Sequence, residues 1–157
     1  MKHLKVGDKA PSWSGKDQNG KAINQKSYEG KKAVVYFYPK DNTPGCTTQA
    51  CNIRDNWSEL QKKGVEVIGV SADSEKSHQK FIDKFQLPFV LVADEQKEII
   101  ETFGVWGEKK FMGKIYDGIH RTTFVIDEKG IIVKRIDIVK SKDHAQQILN
   151  KLNINDQ

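Results

Sequence analysis

The run Ala33-Val34-Val35-Tyr36-Phe37-Tyr38 constrains this chain more than any other segment. It is continuously apolar or aromatic, and Pro39 stops it. An alternating strand could leave one face to water, but an unbroken run needs cover on both faces, as in the central strand of a sheet sandwiched between helices. The neighbouring sequence supplies that cover. Beyond a loop over residues 40–45, Cys46, Ala50, Ile53, Trp57 and Leu60 recur at helical offsets, a stripe that predicts one helix ending near Gly64. Residues 65–70 read as a second strand. Asp73 or Ser74 caps a helix with His78, Phe81, Ile82 and Phe85 on one face; Pro88 precedes a strand at 89–92, and a short helix follows around 95–103. Strands alternating with helices imply a mainly parallel arrangement. Residues 122–126 and 131–136, flanking Asp127-Glu128-Lys129-Gly130, read as an antiparallel hairpin, and Ser141 caps a closing helix with Ala145, Ile148, Leu149 and Leu152 inward. The expected fold class is α/β, a central mixed β-sheet flanked by helices, in a single domain over residues 1–157 whose polar tail, 153–157, frays. The stretch 104–118, with Trp106, Phe111, Met112 and Tyr116 among its glycines, reads as a long loop that covers the core edge or lines a site.

A length of 157 residues suits one domain with a sizeable core. The net charge is +5, from 26 Lys+Arg against 21 Asp+Glu, but the lysines are dispersed as singles and pairs among acidic residues. Phosphate binding needs cations converging on one track, so nucleic acid is not the expected partner. No apolar run approaches the length of a membrane span, and Met1-Lys2-His3-Leu4-Lys5-Val6-Gly7-Asp8 carries no apolar segment of a secretory leader. A cytoplasmic location is expected. The only cysteines are Cys46 and Cys51, too few for a disulfide scaffold, and in a reducing compartment so close a pair points to catalysis or metal binding. Zinc is disfavoured because none of His3, His78, His120 or His144 lies at ligand spacing from the pair, and neither metal nor cofactor is expected.

Cys46 falls where a strand–loop–helix unit places a helix N-terminus. Unpaired N–H groups and the positive end of the helix dipole there favour a thiolate over a thiol, which makes Cys46 a nucleophile. Its place on the Ala50/Ile53/Trp57 stripe turns the sulfur inward. Cys51 lies five residues on and about 140° round the helix, which separates the two Cα atoms by about 8–9 Å, beyond the roughly 7 Å reach of a disulfide. The helix must unwind locally before these cysteines can bond.

Pro39-Lys40-Asp41-Asn42-Thr43-Pro44-Gly45-Cys46 resembles the Pro-x-x-x-Thr-x-x-Cys motif of the peroxiredoxins. Extended through Thr47-Thr48-Gln49-Ala50-Cys51, it is similar to the Q-type, or bacterioferritin comigratory protein, branch. Gly118-Ile119-His120-Arg121-Thr122-Thr123-Phe124-Val125-Ile126-Asp127 resembles that branch's second signature, and the likeness spans roughly residues 4–152. The resemblance implies a thioredoxin-like fold and a thiol peroxidase of the atypical two-cysteine kind. Cys46 would be the peroxidatic nucleophile, becoming a sulfenic acid on hydrogen peroxide or an organic hydroperoxide. Cys51 would resolve it to a disulfide, which a thioredoxin-type partner reduces. Arg121 would favour the thiolate, Thr43 would offer a hydroxyl toward the peroxide, and Pro39 would wall the pocket. The branch usually carries Glu where this chain has Gln49; an amide keeps the hydrogen bonding and omits a charge that would oppose the thiolate. A monomer is expected, from the branch and from the lack of an evident exposed apolar stripe.

For a thiol in general, lowering the pKa from about 8.5 to about 6 raises the thiolate fraction at pH 7 roughly thirtyfold. The accompanying loss of nucleophilicity removes about a decade. Most of a peroxidase's acceleration must therefore come from donors that stabilise the separating O–O charge, which puts the weight on Arg121, Thr43 and the backbone amides. Two other readings are a thioredoxin-like disulfide carrier and a non-enzymatic binding module. Against the carrier stand the long cysteine spacing and the absence of a Pro beside the 122–126 strand. The module would leave the Cys, Thr and Arg constellation unused. His120 reads as structural or solvated.

Overall fold

The structure, a computed structural model, describes residues 4–155, with side chains placed through Leu152. Its elements in chain order are β1 (Ser14–Asp17), β2 (Ala22–Asn24), β3 (Lys32–Phe37), α1 (Pro44–Asp55), α2 (Trp57–Lys62), β4 (Val65–Ser71), α3 (Glu75–Phe85), β5 (Val90–Ala93), α4 (Glu98–Thr102), β6 (Trp106–Phe111), β7 (Lys114–Ile119), β8 (Thr122–Ile126), β9 (Ile132–Ile136) and α5 (His144–Asn155). Single 3₁₀ turns span Gln25–Tyr28 and Ser141–Asp143. One mixed sheet runs β2-β1-β5-β4-β3-β8-β9, with β3, β4 and β5 parallel and β1, β8 and β9 antiparallel to their neighbours.

The apolar run is that sheet's buried centre, between β4 and β8, and its side chains divide between two cores. Val34, Tyr36 and Tyr38 join Cys46, Ala50, Ile53, Phe81 and Ile148 beneath α1, α3 and α5. Ala33, Val35 and Phe37 join Ile99, Ile100 and Phe103 on the opposite face under α4. Period-two alternation sends successive residues to opposite faces, so a strand covered on both has no position for a polar side chain. The parallel strands end on one side of the sheet, where the loop after β3 turns into α1, the usual place for a site in an open α/β sheet.

Three expectations need correction. The helix foreseen from Cys46 to Gly64 is two helices, because Asn56 leaves helical geometry at φ −111°, ψ 18° and its side chain donates to the Asn52 carbonyl at 2.8 Å, competing with the backbone ladder. The apolar stripe survives the break, with Leu60 fully buried. Ser141 does not cap the closing helix. It begins a 3₁₀ turn, and the Ala145 N–H of α5 is instead capped from α1, by Asn52 Oδ1 at 2.7 Å. The stretch 104–118 is no loop but the hairpin β6–β7, turned at Met112 (φ +51°) and Gly113 (φ +79°), a pair of positive φ values that suits a two-residue hairpin turn. Its Phe111, Met112, Ile115 and Tyr116 are exposed, an apolar patch that the sequence did not reveal. The antiparallel pair β1–β2 was also unforeseen. The helix α5 continues through Asn155, and residues 156 and 157 of the tail expected to fray lie outside the described residues. Among the described residues, no helix is long and apolar enough to cross a membrane.

Candidate active site

Helix α1 starts at Pro44, whose fixed φ suits the first helical position and whose missing N–H would have had no helical partner. Thr43 is the N-cap in extended conformation, but its hydroxyl makes no capping bond. It donates to the Lys40 carbonyl at 2.8 Å, leaving its lone pairs available as acceptors. The first helical bond runs from Thr47 N–H to the Thr43 carbonyl, so the N–H groups of Gly45 and Cys46 precede the ladder. Cys46 sits in this first turn, 2% exposed, with its thiol in the dipole's favourable field.

Arg121 comes from the link between β7 and β8. Because Thr122 pairs with Phe37 across the β3–β8 ladder, Arg121 lands at the end of β3 where α1 begins. Its Nη2 donates to Cys46 Sγ at 3.1 Å and its Nη1 to Gln49 Oε1 at 2.8 Å. The guanidinium can come this close because residue 45 is glycine: a Cβ there would stand 2.9 Å from Nη2. Gln49 is fully buried, and its Nε2 has no partner among the described residues. The amide therefore leaves the Arg121 charge unneutralised and directed at the sulfur. Tyr36 Oη, also buried on the Cys46 side of the sheet, is likewise unpartnered; burial first, then the nearby Cys46, holds the phenol pKa well above its usual range.

Cys51 lies half-buried on the same unbroken helix, and both cysteines are free thiols. Pro39 follows Tyr38, whose N–H bonds the Val70 carbonyl at the end of the sheet, and is half-buried at the loop's root. The structure thus brings Cys46, Arg121 and Gln49 into direct contact and keeps Thr43 and Pro39 on the loop leading to them. Cys51 stays apart.

Two features escaped the sequence reading. Lys109 of β6 donates to the Ile119 carbonyl at 2.9 Å; burial lowers its pKa first, Arg121 adds to that, and Cys46 opposes it, so a second cation shares the field of the site. Its only sequence signal was its place in the aromatic stretch 104–118. The second feature is a buried cluster of Tyr38, Asp41, Ser77 and His78 behind the loop. Asp41, Asp73 and His78 bring ligand atoms within 4.8 Å of one another, the residues best placed here to hold a cation, yet each of those atoms is already hydrogen-bonded within the protein. His120 is half-buried, with its backbone N–H bonded to Val105.

A buried thiol at a helix start, held by a guanidinium beside a mixed sheet, with a second free thiol on the same helix, defines a thiol-based redox enzyme. The AhpC/TSA family model matches residues 6–135, and the chain belongs to that family. It is 49% identical over 152 residues to Peroxiredoxin Bcp of Escherichia coli (strain K12), covering 97% of both chains. To Peroxiredoxin Bcp of Bacillus subtilis (strain 168) it is 44% identical over 149 residues, covering 95% of each. Among solved structures, Peroxiredoxin Q of Xanthomonas campestris superposes with a TM-score of 0.86 at 35% identity over 92% of each chain. A PrxQ mutant of Xylella fastidiosa gives a TM-score of 0.91 at 32% identity over the full length of both. The thioredoxin-like fold and the membership of the Bcp/Q branch of peroxiredoxins are as expected, and the chain is a thiol peroxidase.

Proposed function

We propose that Cys46 is the peroxidatic cysteine and Cys51 the resolving one, in a cycle on hydrogen peroxide and organic hydroperoxides. The observation that carries this reading is the 3.1 Å contact from Arg121 Nη2 to Cys46 Sγ at the start of α1. The Cys46 thiolate attacks one peroxide oxygen, an S–O bond forms as the O–O bond breaks, and the departing oxygen leaves as water or alcohol after taking a proton. Arg121 and the N–H groups of Gly45 and Cys46 donate toward the oxygens as charge separates, while Thr43, its own proton engaged by Lys40, accepts the peroxide O–H. The sequence argument had Thr43 as one of the donors; the bond to Lys40 favours the acceptor role. Pro39 closes the pocket's edge.

Cys51 then attacks the Cys46 sulfenic acid, the S–S bond forms and water leaves, once α1 has unwound. A thioredoxin-type dithiol reduces the disulfide. The structure of the Xanthomonas campestris bacterioferritin comigratory protein, solved in work on its alkyl peroxide reduction activity and superposing with a TM-score of 0.86 at 34% identity, supports the organic substrates. The cycle needs a reducing compartment, which fits the cytoplasm, and a monomer suffices because both thiols lie on one chain.

Stopped-flow oxidation of the wild type beside two variants tests this. Cys46→Ser should abolish peroxide consumption. Cys51→Ser should retain one rapid turnover, with a trappable sulfenic acid and no recycling by thioredoxin. Full turnover by Cys46→Ser would overturn the assignment.

A further inference from the structure

Asp41 lies two residues before Thr43, and its side chain, 3% exposed, is held from several directions. Tyr38 Oη donates to Oδ1 at 2.5 Å, and Ser77 Oγ donates to Oδ2 at 2.8 Å. His78 Nδ1 lies 2.7 Å from the same Oδ2, with one proton between them. The other ring nitrogen, Nε2, is 2.9 Å from the Val92 carbonyl, which can only accept, so Nε2 carries a hydrogen. The Asp41 backbone N–H donates to Asp73 Oδ2 at 2.8 Å, and Ser71 Oγ donates to that oxygen at 2.6 Å. One loop residue is thereby tied to β3, β4, α3 and β5. Burying a carboxylate and an imidazole is unfavourable unless both are fully bonded, and such a closed polar set specifies a single arrangement where apolar packing would tolerate several.

The catalytic chemistry touches none of these groups, but the geometry it requires hangs from them. Lys40, whose carbonyl orients the Thr43 hydroxyl, adjoins Asp41, and the Thr43 carbonyl receives the first helical bond of α1. At the far end, Asn52 bonds both Lys142 and Ala145, Arg54 donates to the Phe85 carbonyl at 2.7 Å, and Ile53 is fully buried. Residues 43–51, with Cys46 and Cys51 inside them, are bracketed between the Asp41 cluster and the Asn52 clamp. Between the brackets, among the described residues, Arg121 is the side chain from outside α1 that hydrogen-bonds this segment's side chains, through Cys46 and Gln49.

We propose that the Tyr38–Asp41–His78 network is a latch that keeps the loop before Cys46 in its peroxide-receiving arrangement while α1 unwinds, and so sets the balance between peroxide reduction and disulfide formation. Asp41, His78 and Tyr38 are positioning residues, and the proposal rests on the cysteine roles given above. Without the latch, unwinding spreads back into residues 39–43. The arrangement that meets peroxide loses its geometry, and the unwound state that joins Cys46 to Cys51 becomes more populated. The two steps must then change in opposite directions.

The test is stopped-flow tryptophan fluorescence on the full chain, separating the peroxide-dependent first phase from the peroxide-independent second phase. Displacing reacting groups by about an ångström lowers rates by up to about a hundredfold, and His78→Ala should slow the first phase about tenfold while the second phase speeds up several-fold. His78→Asn, which keeps a donor toward Asp41, should restore most of the first phase. Tyr38→Phe removes one hydroxyl with little change in shape; it should show the same opposed changes more weakly, and it decides the matter if His78→Ala fails to fold. Unchanged phases in folded variants, or both phases slowing together, would overturn the latch alone. A wild type without a peroxide-dependent phase, or a Cys46→Ser variant that retains it, would overturn the cysteine assignment and the latch with it.

Discussion

The smallest residue in the site has the clearest consequence for it. Gly45 makes room for Arg121 Nη2, so a methyl group there must displace the end of a flexible side chain and not the backbone. Gly45→Ala should leave stability unchanged or raise it by up to about 1 kcal/mol, since Ala is the better helix former, yet slow peroxide reduction about tenfold through a misplaced guanidinium. Thermal melting and initial rates on one preparation check both halves. Arg121→Met should slow the reaction a hundredfold or more. The action proposed for the guanidinium, on the separating O–O charge, predicts that the loss persists at high pH; full recovery on raising pH would contradict that role. Gln49 accepts from the same guanidinium. Replacing it with Glu should pair the Arg121 charge and lower the peroxide rate several-fold, measurable in the stopped-flow first phase.

At the scale of elements, α1 and α5 are joined end to side by Asn52, whose Oδ1 caps Ala145 and whose Nδ2 donates to Lys142 at 2.8 Å. Asn52→Ala should lower stability by about 1–2 kcal/mol, the usual loss for a removed cap, seen as a drop of a few degrees in Tm. The first residue of α5 adds a pH dependence. His144 is buried, with Nδ1–H donating to Gln147 Oε1 at 3.2 Å and Nε2 accepting from Thr123 Oγ1 at 3.0 Å, which is the neutral ring. Burial first, with Arg121 adding and the Gln147 bond opposing, lowers its pKa to about 4. The unfolded chain therefore binds this proton at higher pH than the native one. The His144 contribution is complete above about pH 6.5 and is lost as pH falls toward 4, up to about 3 kcal/mol. Urea titrations between pH 7 and 4 should show this slope, and it should flatten in His144→Gln.

Across the whole molecule, a seven-stranded sheet divides two cores, and only one of them carries the thiol. Its edges invite little pairing: β2 is three residues long, and the start of β9 is bonded by residues 7 and 8 through Ile132. Among the described residues, four of the six exposed large apolar side chains lie on the β6–β7 hairpin, the other two being Val6 and Ile138. A monomer is therefore expected at micromolar concentration by sedimentation velocity, with Met112→Glu leaving the sedimentation coefficient unchanged; a dimer that this substitution dissociates would assign the hairpin to self-association.

The cysteine pair proposed above as catalytic stood out in the chain itself because the geometry that separates the two thiols is local. A strand, a loop and a helix start in succession put Cys46 in a dipole's field, and helical geometry separates it from Cys51 whatever the rest of the chain does. The motif likeness extended that reading to Arg121, and the central strand followed from the unbroken apolar run. What lay beyond reach depends on groups far apart in sequence. The cap on Ala145 comes from Asn52, 93 positions away, so Ser141 looked like the nearer solution. The Tyr38–Asp41–His78 cluster joins residues that look unrelated until β3, α3 and β5 pack together, and the room at Gly45 acquires meaning only when Arg121 arrives from the link between β7 and β8. Local spacing and backbone propensity determine where a helix begins and which way its side chains turn. Only the folded sheet decides which distant donor reaches a buried acceptor, because that choice is made by tertiary proximity.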